Sequence, residues 1–357
     1  MSLQFEPLRI NEITKETNDC VSISFQIPTI LKEKFSYQQG QYITIKTSIN
    51  GEEIRRSYSL CSSPLETDFR VAIKKIKGGI FSTYANETLQ VGDVLDVMPP
   101  IGKFHTALYP SNKKNYVFIA AGSGITPILS IIKTTLQTEA ESNITLMYGN
   151  SSRHSIIFKE QLEALKNKYF NRFRLIHILS RERTDTAINF GRIDTIKCEL
   201  LFDKLVSLQA DEFFICGPEE LSFCVKDFLK NKGVEDKKIH FELFASANKV
   251  TRFNDYESTE MDEKKSKILI SIDGRSFGFD LAFKGSSILD AAIQKGADLP
   301  YACKGGVCCT CKAKLVSGNV TMDVNYGLEP DEIAQGFILT CQSHPTTENV
   351  AIDFDIK

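Results

Sequence analysis

The sequence predicts a multidomain chain: an antiparallel β-barrel, then an α/β domain on a parallel sheet, then a small α+β domain. Three observations carry that expectation. The first hundred residues read as short alternating strands separated by Gly, Asn and Pro. From Tyr116 the pattern changes to apolar strands alternating with amphipathic helices, the mark of a parallel sheet covered on its faces. Residues 249–266, KVTRFNDYESTEMDEKKS, are rich in charge and poor in aliphatics, so they cannot build a core and read as a linker. A length of 357 residues, 42% of them hydrophobic and 25% charged, is enough for two or three globular domains.

Each element has its own warrant. In the barrel, expected over 1–108, Val21, Ile23, Phe25 and Ile27 alternate with polar residues, and strands follow at 41–47, 56–60, 69–76 and 93–98. In the α/β domain, expected over 109–248, strands fall at 116–120, 144–148, 173–179 and 212–216. Leu221, Cys224, Val225 and Phe228 mark one apolar helix face after the last of these. Beyond the linker, in 267–357, a hairpin turns at Asp273-Gly274. Ser287 with Asp290 opens a helix through Lys295 as a capping box, and strands follow near 312–316, 337–341 and 350–354.

Charge and composition exclude several functions. Lys plus Arg number 43 against 45 Asp plus Glu, a net charge of −2 that offers no footprint for nucleic acid or an anionic membrane. The histidines at 105, 154, 177, 240 and 344 form no H-x-x-x-H pair, which argues against a histidine-built zinc hydrolase. The N-terminus lacks a basic segment followed by an apolar one, so a cytoplasmic protein without a secretory signal is expected. The uncharged run 116–132 reaches only the lower edge of the ~17–25 residues of a membrane span. Gly-Ser-Gly and Thr-Pro break it, and a strand, turn and helix start fit better.

Four of ten cysteines lie within nine residues, as Cys303, Cys308, Cys309 and Cys311. In a chain with no secretory signal, metal or redox chemistry is the readier use for them than disulfides. Cys303-x4-Cys308-x2-Cys311, with Cys341 downstream, matches the spacing that ligates a plant-type [2Fe–2S] cluster. Gly305 and Gly306 let the loop amides turn toward the sulfurs, including at positive φ. The competing reading is structural zinc, which generally uses paired C-x2–4-C knuckles rather than three ligands on one loop. Cys309 is expected to point away from the cluster.

With these motifs on the page, residues 267–357 resemble a plant-type ferredoxin of β-grasp fold. The chain before the linker resembles the ferredoxin–NADP reductase superfamily. The order flavin domain, nucleotide domain, ferredoxin is that of oxygenase reductase components, and the chain resembles the reductases of bacterial phenylacetyl-CoA epoxidases among them. Arg56-Ser57-Tyr58-Ser59-Leu60-Cys61-Ser62 matches the superfamily's R-x-Y-[ST]-x-x-S flavin motif. The resemblance implies Arg56 and Ser57 at the flavin pyrophosphate end, Tyr58 on the ribityl chain and ring, and Ser59 near flavin N5 as a catalytic residue. Gly78-Gly79-Ile80-Phe81-Ser82 follows a strand and opens a helix, a place for the pyrophosphate, and its form is that of FAD members more than FMN ones. By itself the segment is equally a Gly-Gly turn with a serine cap.

Gly122-Ser123-Gly124-Ile125-Thr126-Pro127 departs from a Rossmann fingerprint because Pro127 stands where the third glycine would. Its glycines admit a pyrophosphate, Thr126 can cap the helix, and Pro127 suits the first turn. Cys216-Gly217-Pro218 resembles the family's triplet beside the nicotinamide, with Cys216 as the second catalytic residue, orienting the hydride donor. A lone triplet is otherwise a strand-end turn with a small buried thiol. Arg153, after the second strand, and Ser180 and Arg181, after the third, favour NADPH over NADH, since a 2′-phosphate wants arginine and no acid follows the second strand. Glu242 is expected either near the flavin or simply on an edge strand.

The resemblance therefore implies FAD, a [2Fe–2S] cluster and NAD(P)H in one oxidoreductase. Nicotinamide gives two electrons together and the cluster takes one at a time, and flavin serves both. The implied partner is an oxygenase, of the phenylacetyl-CoA epoxidase or a related ring-oxidising kind. The alternatives are another acceptor, such as a hybrid-cluster protein, and a zinc-bearing interaction module without redox activity.

Overall fold

The computed structural model describes residues 4–244 and 264–356, which form two compact units, one of them spanning Phe5–Phe244. The linker expected at 249–266 lies outside the described residues as far as 263, and Lys265 and Ser266 already belong to a strand.

The first unit begins with strands β1 (Glu6–Thr17), β2 (Cys20–Gln26), β3 (Tyr42–Ile49), β4 (Glu52–Ser59) and β5 (Arg70–Lys74), helix α1 (Ile80–Glu87) and strand β6 (Val94–Ile101). The six strands pair antiparallel in the order β4-β3-β6-β1-β2-β5, and a bridge between Leu60 and Val71 closes the sheet on itself. Inside lie Leu8, Ile10, Ile23, Ile43, Ile45, Val71 and Val97, inward positions of alternating strands.

Parallel strands follow: β7 (Asn115–Ala121), β8 (Asn143–Asn150), β9 (Phe173–Leu179), β10 (Glu212–Gly217) and β11 (Ile239–Leu243). Between them run α2 (Ile125–Thr138), α3 (Lys159–Lys168), α4 (Thr195–Lys204) and α5 (Glu219–Asn231). The sheet order is β11-β10-β7-β8-β9, so the strand order reverses between β7 and β10. Open α/β sheets bind ligands at the C-terminal ends beside such a switch point. Segment 116–132 is indeed strand, turn and helix, and no described helix is long and apolar enough to cross a membrane. The buried stripe of α5 is Ser222, Val225, Phe228 and Leu229, turned from the expected face, so that Leu221 and Cys224 lie at its margin, half-buried.

Barrel and parallel sheet are sewn together through α2. Ser130 donates to the Ser62 carbonyl at 2.6 Å, Ser63 pairs with Thr134 at 2.9 Å, and Lys133 meets Glu66 at 3.2 Å. Phe104 stacks edge-on to Phe214 with ring centroids 5.4 Å apart.

The second unit carries β12 (Lys265–Ile272), β13 (Arg275–Ala282), α6 (Ile288–Gln294), β14 (Lys312–Ser317), β15 (Val320–Met322), α7 (Pro330–Ala334), β16 (Phe337–Leu339), β17 (Ser343–Pro345) and β18 (Asn349–Asp353). The hairpin turns at Asp273 and Gly274, both at positive φ, 49° and 70°, as a two-residue turn matching strand twist demands. The main sheet has the order β13-β12-β18-β14-β16, with α6 packing Ile288, Leu289 and Ala292 into its core. Ser287 caps α6 through the Asp290 N–H at 3.2 Å. The acidic turn at 329–332 is less open than its charge suggests. Glu332 is buried, caps Glu329 and pairs with Lys312 at 2.9 Å.

Candidate functional site

At the switch point two glycine-bearing turns lock together. A methyl group on Gly124 would sit 2.1 Å from the Cys216 carbonyl oxygen and 2.7 Å from the Gly217 nitrogen, so only glycine lets the β7 turn rest on the end of β10. This contact is close packing of backbone on backbone, a demand on Gly124 besides any phosphate beside it. Gly122 is the one that turns the chain, at φ 55° with open space beside it, and its carbonyl accepts from Tyr148 at 2.9 Å. Thr126 does not cap α2. Gly124 is the N-cap, and the Thr126 hydroxyl donates back to the Ser123 carbonyl at 3.0 Å, while Pro127 is buried in the first turn as expected. Cys216 and Gly217 end β10, and Pro218 precedes α5 as its N-cap.

The second and third strand ends stand side by side. The Ser180 and Arg181 N–H groups donate to the carbonyls of Asn150 and Ser151, both at 2.9 Å. Arg153 and Arg181 are exposed and Ser180 is half-buried. Glu182 accepts from the Arg153 N–H at 2.8 Å and stands 3.3 Å from its guanidinium, an acid that the strand-end pattern alone does not place. The Asn150 side chain is buried at the end of β8, beside the Tyr148 hydroxyl. Beside it Arg153, Lys159, His177, Thr184 and Asn189 line a hollow of about 460 Å³.

The flavin motif ends on the same switch point. Ser59, at the end of β4, is buried and donates to Glu242 at 3.2 Å. Glu242 is paired in register with Cys216 across β11 and β10. Burial pushes the Glu242 carboxyl up to about 8 against the opposing pull of Ser59. Burial likewise raises the Cys216 thiol far above its usual range, with Glu242 adding to it. Glu242 thus stands on an edge strand and at the same time bridges Ser59 and the end of β10, a meeting that the sequence pattern does not contain. Tyr58 packs against Phe81 with centroids 5.6 Å apart, and Ser57 shares a hydrogen bond with Thr44 at 3.2 Å. Arg56 is exposed, its guanidinium steadied by the Arg55 carbonyl at 2.7 Å.

In the second phosphate candidate, Gly78 adopts φ 76° and Gly79 is the N-cap of α1. Phe81 is core, and the Ser82 hydroxyl is consumed by the turn, accepting from the Ile76 N–H at 3.1 Å and donating to the Gly79 carbonyl at 3.3 Å. What α1 offers an anion is its free first-turn N–H groups rather than those two side chains.

In the other unit the four predicted thiols come together: Cys303 is bonded to Cys308 and Cys311 to Cys341, and Cys311 also lies within electrostatic reach of Cys303 and Cys308. Four thiols so gathered can serve two irons, two thiolates to each. The Cys308 thiol, then the amides of Gly305, Val307 and Cys308, draw the Cys303 thiol down to about 6. Amides aimed at sulfur are what a negatively charged cluster requires. Only Gly306 of the expected glycine pair takes positive φ, 70°, and a methyl there would meet the Val324 carbonyl at 2.7 Å. The other left-handed residue is Lys304, at φ 50°, anchored by its ammonium to Asp290 at 2.6 Å. Cys309 donates instead to the Gly327 carbonyl at 2.5 Å.

Three family models match the chain: an oxidoreductase FAD-binding domain over residues 7–106, an oxidoreductase NAD-binding domain over 118–227, and a 2Fe-2S iron-sulfur cluster binding domain over 270–346. The chain is 45% identical to a subunit of the 1,2-phenylacetyl-CoA epoxidase of Escherichia coli (strain K12), covering 99% of this chain and 98% of that one. It is 31% identical to the 3-ketosteroid-9-alpha-monooxygenase ferredoxin reductase component of Rhodococcus rhodochrous, over 97% and 96% of the two chains. Among solved structures it shares the fold of phthalate dioxygenase reductase, with a TM-score of 0.61 and 23% identity over 98% of each chain.

Proposed function

The chain belongs to the FAD-, NAD- and [2Fe–2S]-binding reductase components of oxygenase systems, and from that membership we propose that it carries electrons from NADPH to a phenylacetyl-CoA epoxidase or a related ring-oxidising oxygenase. The observation that carries the reading is the meeting of Ser59, Glu242 and Cys216 where the flavin motif reaches the switch point. When bound, FAD takes a hydride from NAD(P)H and the cluster takes electrons singly.

This chain's residues supply geometry and charge. Ser59 and Glu242 present a hydroxyl and a carboxyl that holds its proton near neutral pH, so a proton can be kept at Glu242 Oε without a net buried charge. Cys216, buried and neutral, serves as shape against which a nicotinamide is oriented rather than as a nucleophile. Gly122 and the α2 terminus accept a pyrophosphate, and Arg56 with the first turn of α1 takes that of the flavin. Arg153, Ser180 and Arg181 stand ready for a 2′-phosphate, which supports NADPH over NADH. Cys303, Cys308, Cys311 and Cys341 hold the cluster, and the loop around them faces the acceptor protein. A cytoplasmic location belongs to the same reading, supported by ten cysteines without a disulfide.

The test is coupled turnover. With purified phenylacetyl-CoA epoxidase oxygenase subunits, epoxide should form at the expense of NADPH, and more slowly with NADH at equal concentration. Cytochrome c reduction without any coupled epoxide would move the acceptor to another redox protein.

A further inference from the structure

Helices α4 and α5 hold a pair of thiols that the electron path does not use. Cys198 on α4 is 1% exposed, and Cys224 on α5 is half-buried at the edge of its helix. Thr195, one turn before Cys198 on the same face of α4, places its hydroxyl 3.4 Å from the Cys224 sulfur, so Cys224 lies against the face of α4 that carries Cys198, and the two thiols are electrostatic neighbours. Both helices touch the dinucleotide site. α5 starts directly after Cys216-Gly217-Pro218. On α4, Lys197 grips the carbonyls of Ala187, Ile188 and Phe190 at 2.9, 3.2 and 2.7 Å, holding the loop that walls the hollow beside Arg153.

We propose that Cys198 and Cys224 form a reversible disulfide, driven by a hydroperoxide, that draws α4 onto α5 and weakens dinucleotide binding. The chemistry balances. Cys224, the more accessible thiol, attacks the peroxide, the O–O bond breaks, and Cys224 becomes a sulfenic acid as water (or alcohol) leaves. The Cys198 sulfur then displaces the hydroxyl, forming the S–S bond and releasing water, so two thiols lose two protons and two electrons to one peroxide. Bringing the sulfurs to the roughly 2 Å of an S–S bond pulls both helices, and with them the nicotinamide turn and the adenosine-side loop. A flavin reductase that meets dioxygen is itself a source of peroxide, so the pair would throttle NADPH uptake when electrons leak.

The experiment uses the holoprotein, treated with hydrogen peroxide and then assayed by NADPH-dependent ferricyanide reduction, which needs the flavin but not the cluster. The linkage rests on the thiol geometry and the kinetic effect on the dinucleotide reading above, so the two are read separately. Peptide mapping after blocking free thiols should give a Cys198–Cys224 cross-link two hydrogens lighter than the separate peptides. The KM for NADPH should rise several-fold with kcat nearly unchanged and recover with dithiothreitol. Cys224→Ser and Cys198→Ala should keep basal activity and lose the response. Absence of the cross-linked peptide, a cross-link without a change in KM, or an equal loss in the Cys224→Ser variant would overturn the proposal.

Discussion

Gly124→Ala tests how tightly the two halves of the dinucleotide site are pinned. The added methyl carbon would lie 2.1 Å from the Cys216 oxygen and 2.4 Å from its carbonyl carbon, against 3.4 Å for ordinary contact, a shortfall of about 1.3 Å. These are backbone atoms with no rotamer to yield, so β10 must move away from β7 or α2 must lift. Overpacking of this kind costs about 1–3 kcal/mol. In a unit of this size that lowers Tm by about 2–12 °C. The displacement falls directly on Cys216, and a misplacement near 1 Å costs about a hundred-fold in rate. Stopped-flow reduction of the bound flavin by NADPH, with calorimetry, reads both effects. Gly122→Ala is the internal comparison. Its methyl meets nothing within 4 Å, so the cost is the left-handed backbone alone, about 1–2 kcal/mol, and the loss should fall on KM. A Gly124→Ala enzyme with unchanged Tm and unchanged flavin reduction would refute the locking argument.

Four other outcomes are expected. Cys341→Ser should abolish cytochrome c reduction and the cluster's visible absorption while ferricyanide reduction persists. Equal loss of both would break the division of labour between the two units. Arg181→Ala should lower kcat/KM for NADPH far more than for NADH, read from steady-state rates with each. Glu242, with its carboxyl raised to about 8 from an ordinary 4.5, binds a proton in the folded state that the unfolded chain has released. Its contribution is therefore full below pH 4.5 and falls as pH rises toward 8, by at most about 1.4 kcal/mol per unit. Urea titrations of the apoprotein should show that decline, and Glu242→Gln should flatten it. Lys312→Met removes the ion pair to the buried Glu332 and should destabilise the C-terminal unit by about 3 kcal/mol in chemical denaturation, whereas Lys314→Met, on the same face of β14 but bonded to the Gln335 carbonyl and not to a carboxylate, should cost much less.

What could be read from the chain was whatever local chemistry determines. The cysteine spacing, the Asp273-Gly274 hairpin and the Ser287 cap each depend on neighbours a few residues away, and they stand where local rules put them. Strand β1 goes unread because Leu8 and Ile10 alternate with exposed neighbours only over its first half; a register shift between Ile10 and Glu12 then breaks the period, and the stretch beyond is mostly polar. Thr126 and Ser82 share one feature: in sequence terms each hydroxyl is free to cap or to bind, and in the fold each is drawn into its own turn, donating to the carbonyl three residues back. Glu242 and Glu182 acquired meaning only through partners 183 and 29 residues away, Ser59 and the Arg153 N–H, which no window of sequence contains. Gly124 reads as a phosphate glycine, and the fold adds a constraint that no local window contains, a carbonyl on a strand some ninety residues later.

The seam formed by α2 constrains how such reductases can be recombined. Because Ser130, Lys133 and Thr134 reach into the 62–66 segment, and Ser59 reaches Glu242, the flavin and nucleotide halves share contacts from end to end. A chimaera cut near residue 108 would sever all of them at once and graft two mismatched surfaces. A cut after Phe244 leaves each of these contacts whole, so exchange of electron outlets between relatives should succeed there.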